Sequence, residues 1–482
     1  MVATPVPLIV VAVVLCGTVA FAFLSVRRIT MSPQEYMVGG RGFGAVFLWV
    51  LLAGEIYTSF TFLGAAGWAY NFGAPAFYIM AYGTVGYVFW YFILPWVWRT
   101  AKEHGLLTAP DFFAARYHSR ILTLFTALIY CLAVIPYVTL QLSALQIFLR
   151  IVGYGSINEE GAVVVAFLLI VGFVFATGLR GTAWASIIKD ALVIGALLFV
   201  GIAMPIQFFG SPAGLFDQLL RAHPAMLTLG SWTSTHGTLW YISTVGVAGF
   251  SYFMGPHSIA AVYSAKDENV LRRNAMLLPI YQLVVVLVLF AGFSALLISP
   301  GLHGPAADQS YLTVVQRFYP PWLLGFVAAA GILCALIPST ALLLSAASIV
   351  AKNVLGDVFG IALEGNARVL ATRTLVAIIG LGAIALWLAY RTQLVDLLLL
   401  YYNGVAQLAP AFIFGFAWKR TTAWGVGTGM VAGLIVALYF ARPGAEPLYG
   451  LNPGFIGLVV NIPLLVLVSL TTKPPAAASR SL

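Results

Sequence analysis

Three ionisable side chains stand inside long apolar runs of this sequence: Glu55, and the adjacent pair Lys189-Asp190. A charge at the centre of a bilayer costs on the order of 3 kcal/mol or more, so each needs a purpose. Glu55 sits where Gly54, Gly64 and Gly67 interrupt the run 51–70. There it can partner a backbone amide or a lysine, or it can recognise a solute or carry a proton. Lys189 lies about six residues into its run, roughly 9 Å from the end at 1.5 Å per residue, so it can snorkel out or keep its amine inside. A second interrupted run, 240–262, carries Gly246, Gly249 and Gly255-Pro256. Non-helical backbone at membrane depth is tolerated only where it faces protein or a water-filled cavity. Its freed carbonyls can then coordinate cations, and its half-helix N-termini can face anions. Close packing of small residues is the alternative for either run taken singly.

Enzymatic chemistry is not encoded. His104, His118, His223, His236 and His303 are scattered through polar breaks, and no His-Glu-x-x-His or nucleophile motif is present. His257 follows the Gly255-Pro256 break, where a lone histidine is more often structural than a proton relay. Cys16, Cys131 and Cys334 each lie in an apolar run without Cys-x-x-Cys spacing, which argues against zinc and disulfides alike. No cofactor is expected. A channel would need a repeated filter-like segment, and a receptor or transporter-like sensor would need an output domain that the tail after Leu470 is too short to hold.

The elements that position these residues are helices. Of the 482 residues, 61% are hydrophobic and 8% charged, against roughly 25% charged in soluble domains. A spanning helix takes about 20 mainly apolar residues, whereas a membrane β-barrel would show short alternating segments. The chain therefore reads as an all-α polytopic membrane protein of about thirteen crossings. They begin near Val6, Ala45, Ala74, Ile121, Gly161, Ala183, Trp240, Ala275, Pro321, Thr372, Leu394, Thr422 and Phe455. The first has no basic flank before it and reads as a retained helix, not a cleaved signal.

Charge distribution orients the chain. With the N-terminus outside and the C-terminus cytoplasmic, only Arg150, Arg221, Arg317, Arg391 and Arg442 of the 24 Lys and Arg face out, and Lys189 belongs to neither side. The other basic residues fall on the cytoplasmic side, as the positive-inside rule requires. The net charge of +9 thus points to an inner-membrane location and not to a nucleic-acid partner. The expected partners are membrane lipid and a small-molecule solute, and no protein partner is specified.

The two interrupted runs are the second and seventh crossings, five apart. An odd offset reverses the direction of crossing, so crossings 2–6 and 7–11 read as a five-plus-five inverted repeat with a site between the two broken helices. One transmembrane domain is expected: a peripheral first helix and loop (1–44), the first repeat (45–209), the second repeat (240–418) and peripheral last helices (419–482).

At these residues the sequence resembles the sodium:solute symporter family. The resemblance rests on Gly39-Gly40-Arg41, Thr61-Phe-Leu-Gly64, Leu107-Thr-Ala-Pro-Asp-Phe-Phe-Ala-Ala-Arg-Tyr117, Gly255-Pro-His257 with Ala265-Lys-Asp267, and Ile337-Pro-Ser-Thr340. It implies a solute symporter and not an enzyme. It also implies a Na+ site formed by the carbonyls of Gly54, Tyr57 and Leu336 with the hydroxyls of Ser339 and Thr340. Spacing i, i+3, i+4 puts the last three on one helical face, although both hydroxyls can instead bond back to their own helix. A second family Na+ site would need hydroxyls and an aspartate where this chain has Leu342, Leu343 and Ser186, so one coupling ion per solute is expected. Where the family more commonly has glutamine, this chain has Lys189. In proton-coupled relatives of the wider superfamily such a lysine takes the ion's place, which leaves Na+ and H+ both open.

The segments Glu55–Gly64 and Gly178–Asp190 look most like the monocarboxylate branch, which implies lactate, pyruvate or acetate as the solute. Its carboxylate would rest on freed amides and on Thr58, Ser59 or Thr61, with Lys189 in reach. Gln141 and Tyr252 would close the pocket, and Tyr137 and Phe250 would wall it. A proline-like amino acid is the alternative, its ammonium group meeting Glu55.

Overall fold

The computed structural model of this chain describes residues 3–26, 43–361, 363, 365–442, 444–446 and 448–473, without the side chains of 26, 51, 55, 176–180 and 366. The Gly39-Gly40-Arg41 motif and the Glu55 side chain therefore lie outside the described residues.

Helices account for nearly all of the described chain. They are α1 (Val6–Val26), α2 (Ala45–Ile56), α3 (Ala65–Phe72), α4 (Tyr78–Glu103), α5 (Ala109–Tyr117), α6 (Arg120–Val152), α7 (Glu159–Leu198), α8 (Thr238–Met254) and α9 (Pro256–Ser264). They continue as α10 (Glu268–Gln282), α11 (Val285–Ile298), α12 (Pro321–Ile349), α13 (Gly365–Ala389), α14 (Leu394–Ala406), α15 (Ala409–Ala417), α16 (Ala423–Ala441) and α17 (Pro453–Thr471). Starts follow capping chemistry, since the first turn leaves N–H groups open. Asp267 accepts from the Val270 N–H at 3.0 Å, Thr422 from Gly425 at 3.1 Å and Asn452 from Gly454 at 2.8 Å.

Among the described residues, ten helices are long and apolar enough to cross a membrane uninterrupted, fewer than the expected thirteen. The difference has a physical source. Two expected crossings, 45–72 and 238–264, are broken. The two crossings expected to begin near Gly161 and Ala183 fall within the single 40-residue helix α7, so thirteen separate crossings are not seen among the described residues. Near one end of α7, Glu159 meets Arg391 at 3.2 Å; midway, the Phe175 carbonyl accepts from Arg373 at 3.3 Å; just past the other end, Phe199 packs edge-on to Tyr319 at 4.9 Å. Arg391 and Tyr319 lie on the face where α13 ends and α12 begins, and Arg373 lies toward the other.

One face of the molecule gathers the basic residues. There Arg99 and Arg272 share Glu268 at 2.8 and 3.6 Å, and Lys352 meets Asp111 at 2.6 Å. We call this the basic face. Asp111, in the first turn of α5, also accepts from the Leu107 and Thr108 N–H groups at 2.7 and 3.0 Å and from Asn353 Nδ2 at 2.6 Å, tying α5 to the end of the α12 crossing. Burial alone would raise this carboxyl, but Lys352 and these donors together hold it below the usual carboxylate range.

The broken helices run antiparallel and touch at both ends. On the basic face, Phe43 N–H donates to the Ser264 carbonyl at 3.1 Å and Lys266 N–H to the Phe43 carbonyl at 3.0 Å. At the opposite face Trp68 of α3 stacks on Trp240 of α8 at 5.2 Å. A connecting segment, 304–309, closes that face by lying on α3. A side chain on Gly67 would begin 2.4 Å from Asp308 Oδ1 and 2.8 Å from its Cα, so only glycine permits this approach. Asp308 Oδ2 accepts from the Leu394 N–H at 2.9 Å, fastening the segment to the start of α14. Burial pushes the Asp308 carboxyl well above the usual carboxylate range, and the Leu394 N–H only partly offsets this.

Candidate ion and solute site

Both breaks lie between the closed ends. In the first, α2 stops at Ile56 and Tyr57 leaves helical geometry (φ −98°, ψ 79°). The Thr61 hydroxyl donates to the Ile56 carbonyl, filling one of the acceptors the break exposes. A π-helical turn, Phe60–Gly64, then joins α3. Thr58 and Ser59 are fully buried in this break, and among the described residues neither hydroxyl has a hydrogen-bond partner. In the second break Gly255 is extended (φ −58°, ψ 141°), Pro256 opens α9, and the Ser258 hydroxyl donates to the freed Tyr252 carbonyl at 3.2 Å. A side chain on Gly255 would begin 2.3 Å from the Tyr401 hydroxyl, which accounts for glycine there.

Gln141 of α6 is also fully buried, and among the described residues neither its amide oxygen nor its nitrogen has a partner. α6 packs against both the π turn and α14, which brings Gln141's helix to the first break. Leaving buried polar atoms unpaired costs about 1–3 kcal/mol each, which makes these side chains candidates for binding something else. One helical turn before Gln141 on α6, Tyr137 lies 4.9 Å from Tyr401 and 5.8 Å from His257. Tyr252 faces another way, stacking on Trp90 at 5.2 Å and meeting Tyr87 hydroxyl to hydroxyl at 3.5 Å. Phe250 packs on Phe89 at 4.3 Å, half-buried.

Of the residues expected to hold the ion, Ser339 and Thr340 are fully buried on α12, which packs against α2 and the π turn. Their hydroxyls bond back to the carbonyls of Ala335 at 2.6 Å and Leu336 at 3.0 Å. A cation bound there would take over lone pairs on these same oxygens. The Tyr57 hydroxyl reaches across to the Tyr281 carbonyl at 2.7 Å, fixing the end of α2 against α10.

Lys189 does not snorkel. It is fully buried, and its Nζ lies 3.3 Å from where a side chain on Gly54 would begin, with Ser186 Oγ at 3.9 Å from the same point. Its ion-pair partner is Asp190, with Oδ1 at 3.0 Å. An ammonium thus stands beside one of the expected ion carbonyls. Tyr401, His257, Trp90 and Tyr281 were not singled out as site residues from the sequence, or were read as structural, because nothing in their spacing tells that distant helices converge on them.

The family profile of the sodium:solute symporters matches residues 36–433. An uncharacterized symporter of Bacillus subtilis (strain 168), YhjB, is 38% identical over 462 residues, covering 93% of this chain and 94% of that protein. A monocarboxylate transport permease protein of Rhizobium johnstonii is 28% identical (92% of each chain), and a sodium/proline symporter of Staphylococcus aureus (strain bovine RF122 / ET3-1) is 26% identical (97% and 93%). The solved structure of a Na+-coupled sialic acid symporter in a substrate-bound outward-open state superimposes with a TM-score of 0.82 at 16% identity, over 97% of this chain and 98% of that one. This chain is therefore a multi-pass membrane transporter and belongs to the sodium:solute symporter family.

Proposed function

We propose that this protein is a cation-coupled symporter that carries a small monocarboxylate, of the lactate, pyruvate or acetate kind, into the cell. The observation that carries the reading is the buried polar side chains Thr58 and Ser59 at the first break and Gln141 on α6, which have no hydrogen-bond partner among the described residues. A carboxylate can take hydrogen bonds from two hydroxyls and an amide at once, and a short acid leaves the apolar walls in contact with its methyl end. Similarity to a monocarboxylate permease supports the same choice.

Coupling is assigned to the space bounded by Gly54, Tyr57, Leu336, Ser339 and Thr340, with Na+ as the family's ion and H+ as the alternative. Lys189 gives that space its distinctive chemistry. Na+ on the Gly54 carbonyl and the Lys189 ammonium would repel each other, so one cation leaves or discharges when the other arrives. The basic face is placed in the cytoplasm by the positive-inside rule, with the N-terminus outside. The division into 45–209 and 240–418 follows the two antiparallel broken helices.

A proline-like amino acid is the second reading, favoured by the relatives named as sodium/proline symporters. Competition separates the two. Unlabelled lactate, pyruvate, acetate or propionate should block uptake of labelled lactate, and proline and alanine should not. Block by proline or alanine alone would exchange the readings.

A further inference from the structure

A cavity of about 250 Å³ opens on the face opposite the basic one, with Arg150, Glu159, Arg391 and Gln146 among its polar walls. Its position follows from α6. Arg150 and Gln146 lie about one turn apart on that helix, and Gln141 stands about 13 Å deeper than Arg150 along the same axis. Leu394 forms part of the inner wall, and its Cβ lies 3.2 Å from where a side chain on Gly64 would begin. The cavity therefore sits directly above the first break, with Leu394 and the π turn between it and the buried polar set.

Its charges are unbalanced. Arg150 and Arg391 share one carboxylate: Glu159 Oε1 is 2.5 Å from Arg150 and Oε2 is 3.2 Å from Arg391. Arg391 lies over the Trp387 ring at 3.5 Å, which holds its guanidinium at the cavity wall. Arg150 Nε is buried and has no partner among the described residues. The remaining acid, Asp308, is 1% exposed, and one of its oxygens is already taken by the Leu394 N–H. Two guanidiniums with one exposed acid between them attract anions, and an arginine edge pairs with a carboxylate through two parallel hydrogen bonds.

We propose that this cavity is a capture site for the solute's carboxylate, occupied before the solute passes to the central site. The assignment rests on the monocarboxylate reading and on the basic face being cytoplasmic. The incoming carboxylate pairs with Arg150 and competes with Glu159 for it, so the two residues have opposite effects on capture. A purely structural Arg150–Glu159 tie would make their removal equivalent.

Initial rates of labelled lactate uptake into proteoliposomes test this. Arg150→Gln should raise KM roughly tenfold with the maximal rate within about twofold, and Glu159→Gln should leave KM level or lower it. Higher ionic strength should raise KM for the parent more than for Arg150→Gln. Arg391→Gln reports the same capture if Arg150→Gln does not fold. KM raised alike by Arg150→Gln and Glu159→Gln, or left unchanged by both arginine variants, would overturn the proposal while the transport reading stands. A parent that takes up no monocarboxylate under any gradient would remove the transport reading, and this site with it.

Discussion

Replacing Lys189 by glutamine exchanges an ammonium beside Gly54 for a neutral amide of similar reach. Lys189 Nζ lies 3.3 Å from where a side chain on Gly54 would begin, and two unit charges about 5 Å apart at an effective dielectric constant of about 20 repel by about 3 kcal/mol. Relief of this repulsion corresponds to about a hundredfold in affinity. Lys189→Gln should therefore lower the Na+ concentration for half-maximal uptake by up to about a hundredfold, on the order set by that energy. The substitution also strands Asp190, which is 5% exposed and has Lys189 as its ion-pair partner. An uncompensated buried charge costs about 3–5 kcal/mol, so Lys189→Gln with Asp190→Asn is the necessary companion. Na+ titrations of solute counterflow in proteoliposomes at fixed pH provide the assay. Half-saturating Na+ within about threefold of the parent in a folded Lys189→Gln variant would refute the reasoning, whereas the double variant, which removes both charges of the pair, should stay closer to the parent.

Four further expectations follow from the same geometry. Ser339→Ala and Thr340→Ala leave carbonyls that are already bonded within α12, so each should fold within about 1 kcal/mol of the parent yet weaken cation dependence tenfold or more, as read by thermal unfolding and uptake. Gly67→Ala places a methyl against the Asp308 backbone and should cut turnover more than about tenfold while solute binding persists, because the closed face cannot re-form. Asp111→Asn removes the charge that Lys352 meets at 2.6 Å and should lower stability by about 1–3 kcal/mol. Since that carboxyl is held below its unfolded range, its contribution is complete above the unfolded value near pH 4 and fades only as pH falls through the depressed one; the pH profile between 5 and 8 should be unchanged by the substitution. A reporter fused after Leu482 should be active in the cytoplasm, and periplasmic activity would reverse the orientation.

The lengths and limits of most helices were legible because each is a run of apolar residues closed by caps or glycine. The existence of two breaks was legible but not every residue of them: Gly255-Pro256 does interrupt the second, whereas Gly54 and Gly249 lie inside helices and the first break falls at Tyr57. What could not be read was direction. Lys189 was equally compatible with snorkelling and with facing Gly54; only the packing of α7 against α2 and α12 decides it. Thr58, Ser59 and Thr61 looked interchangeable, yet Thr61 is occupied by the Ile56 carbonyl while the other two are left unpaired. The ties from Asp308 to Leu394 and from Lys352 to Asp111 join residues 86 and 241 positions apart, and no local pattern announces such a contact. Hydropathy separates the runs that begin near Gly161 and Ala183, whereas the backbone runs helical through both as α7.

The central claim is coupled transport of a small acid through the space between the two breaks. Purified protein in liposomes, given labelled lactate and an inward gradient of either Na+ or H+, tests it without assumptions about any single residue. Accumulation above equilibrium with one imposed gradient, abolished when that gradient is collapsed and when Thr58, Ser59 and Gln141 are replaced together by alanine, alanine and leucine, is the result expected. Equal uptake with and without either gradient, or full accumulation by that triple variant, would contradict it.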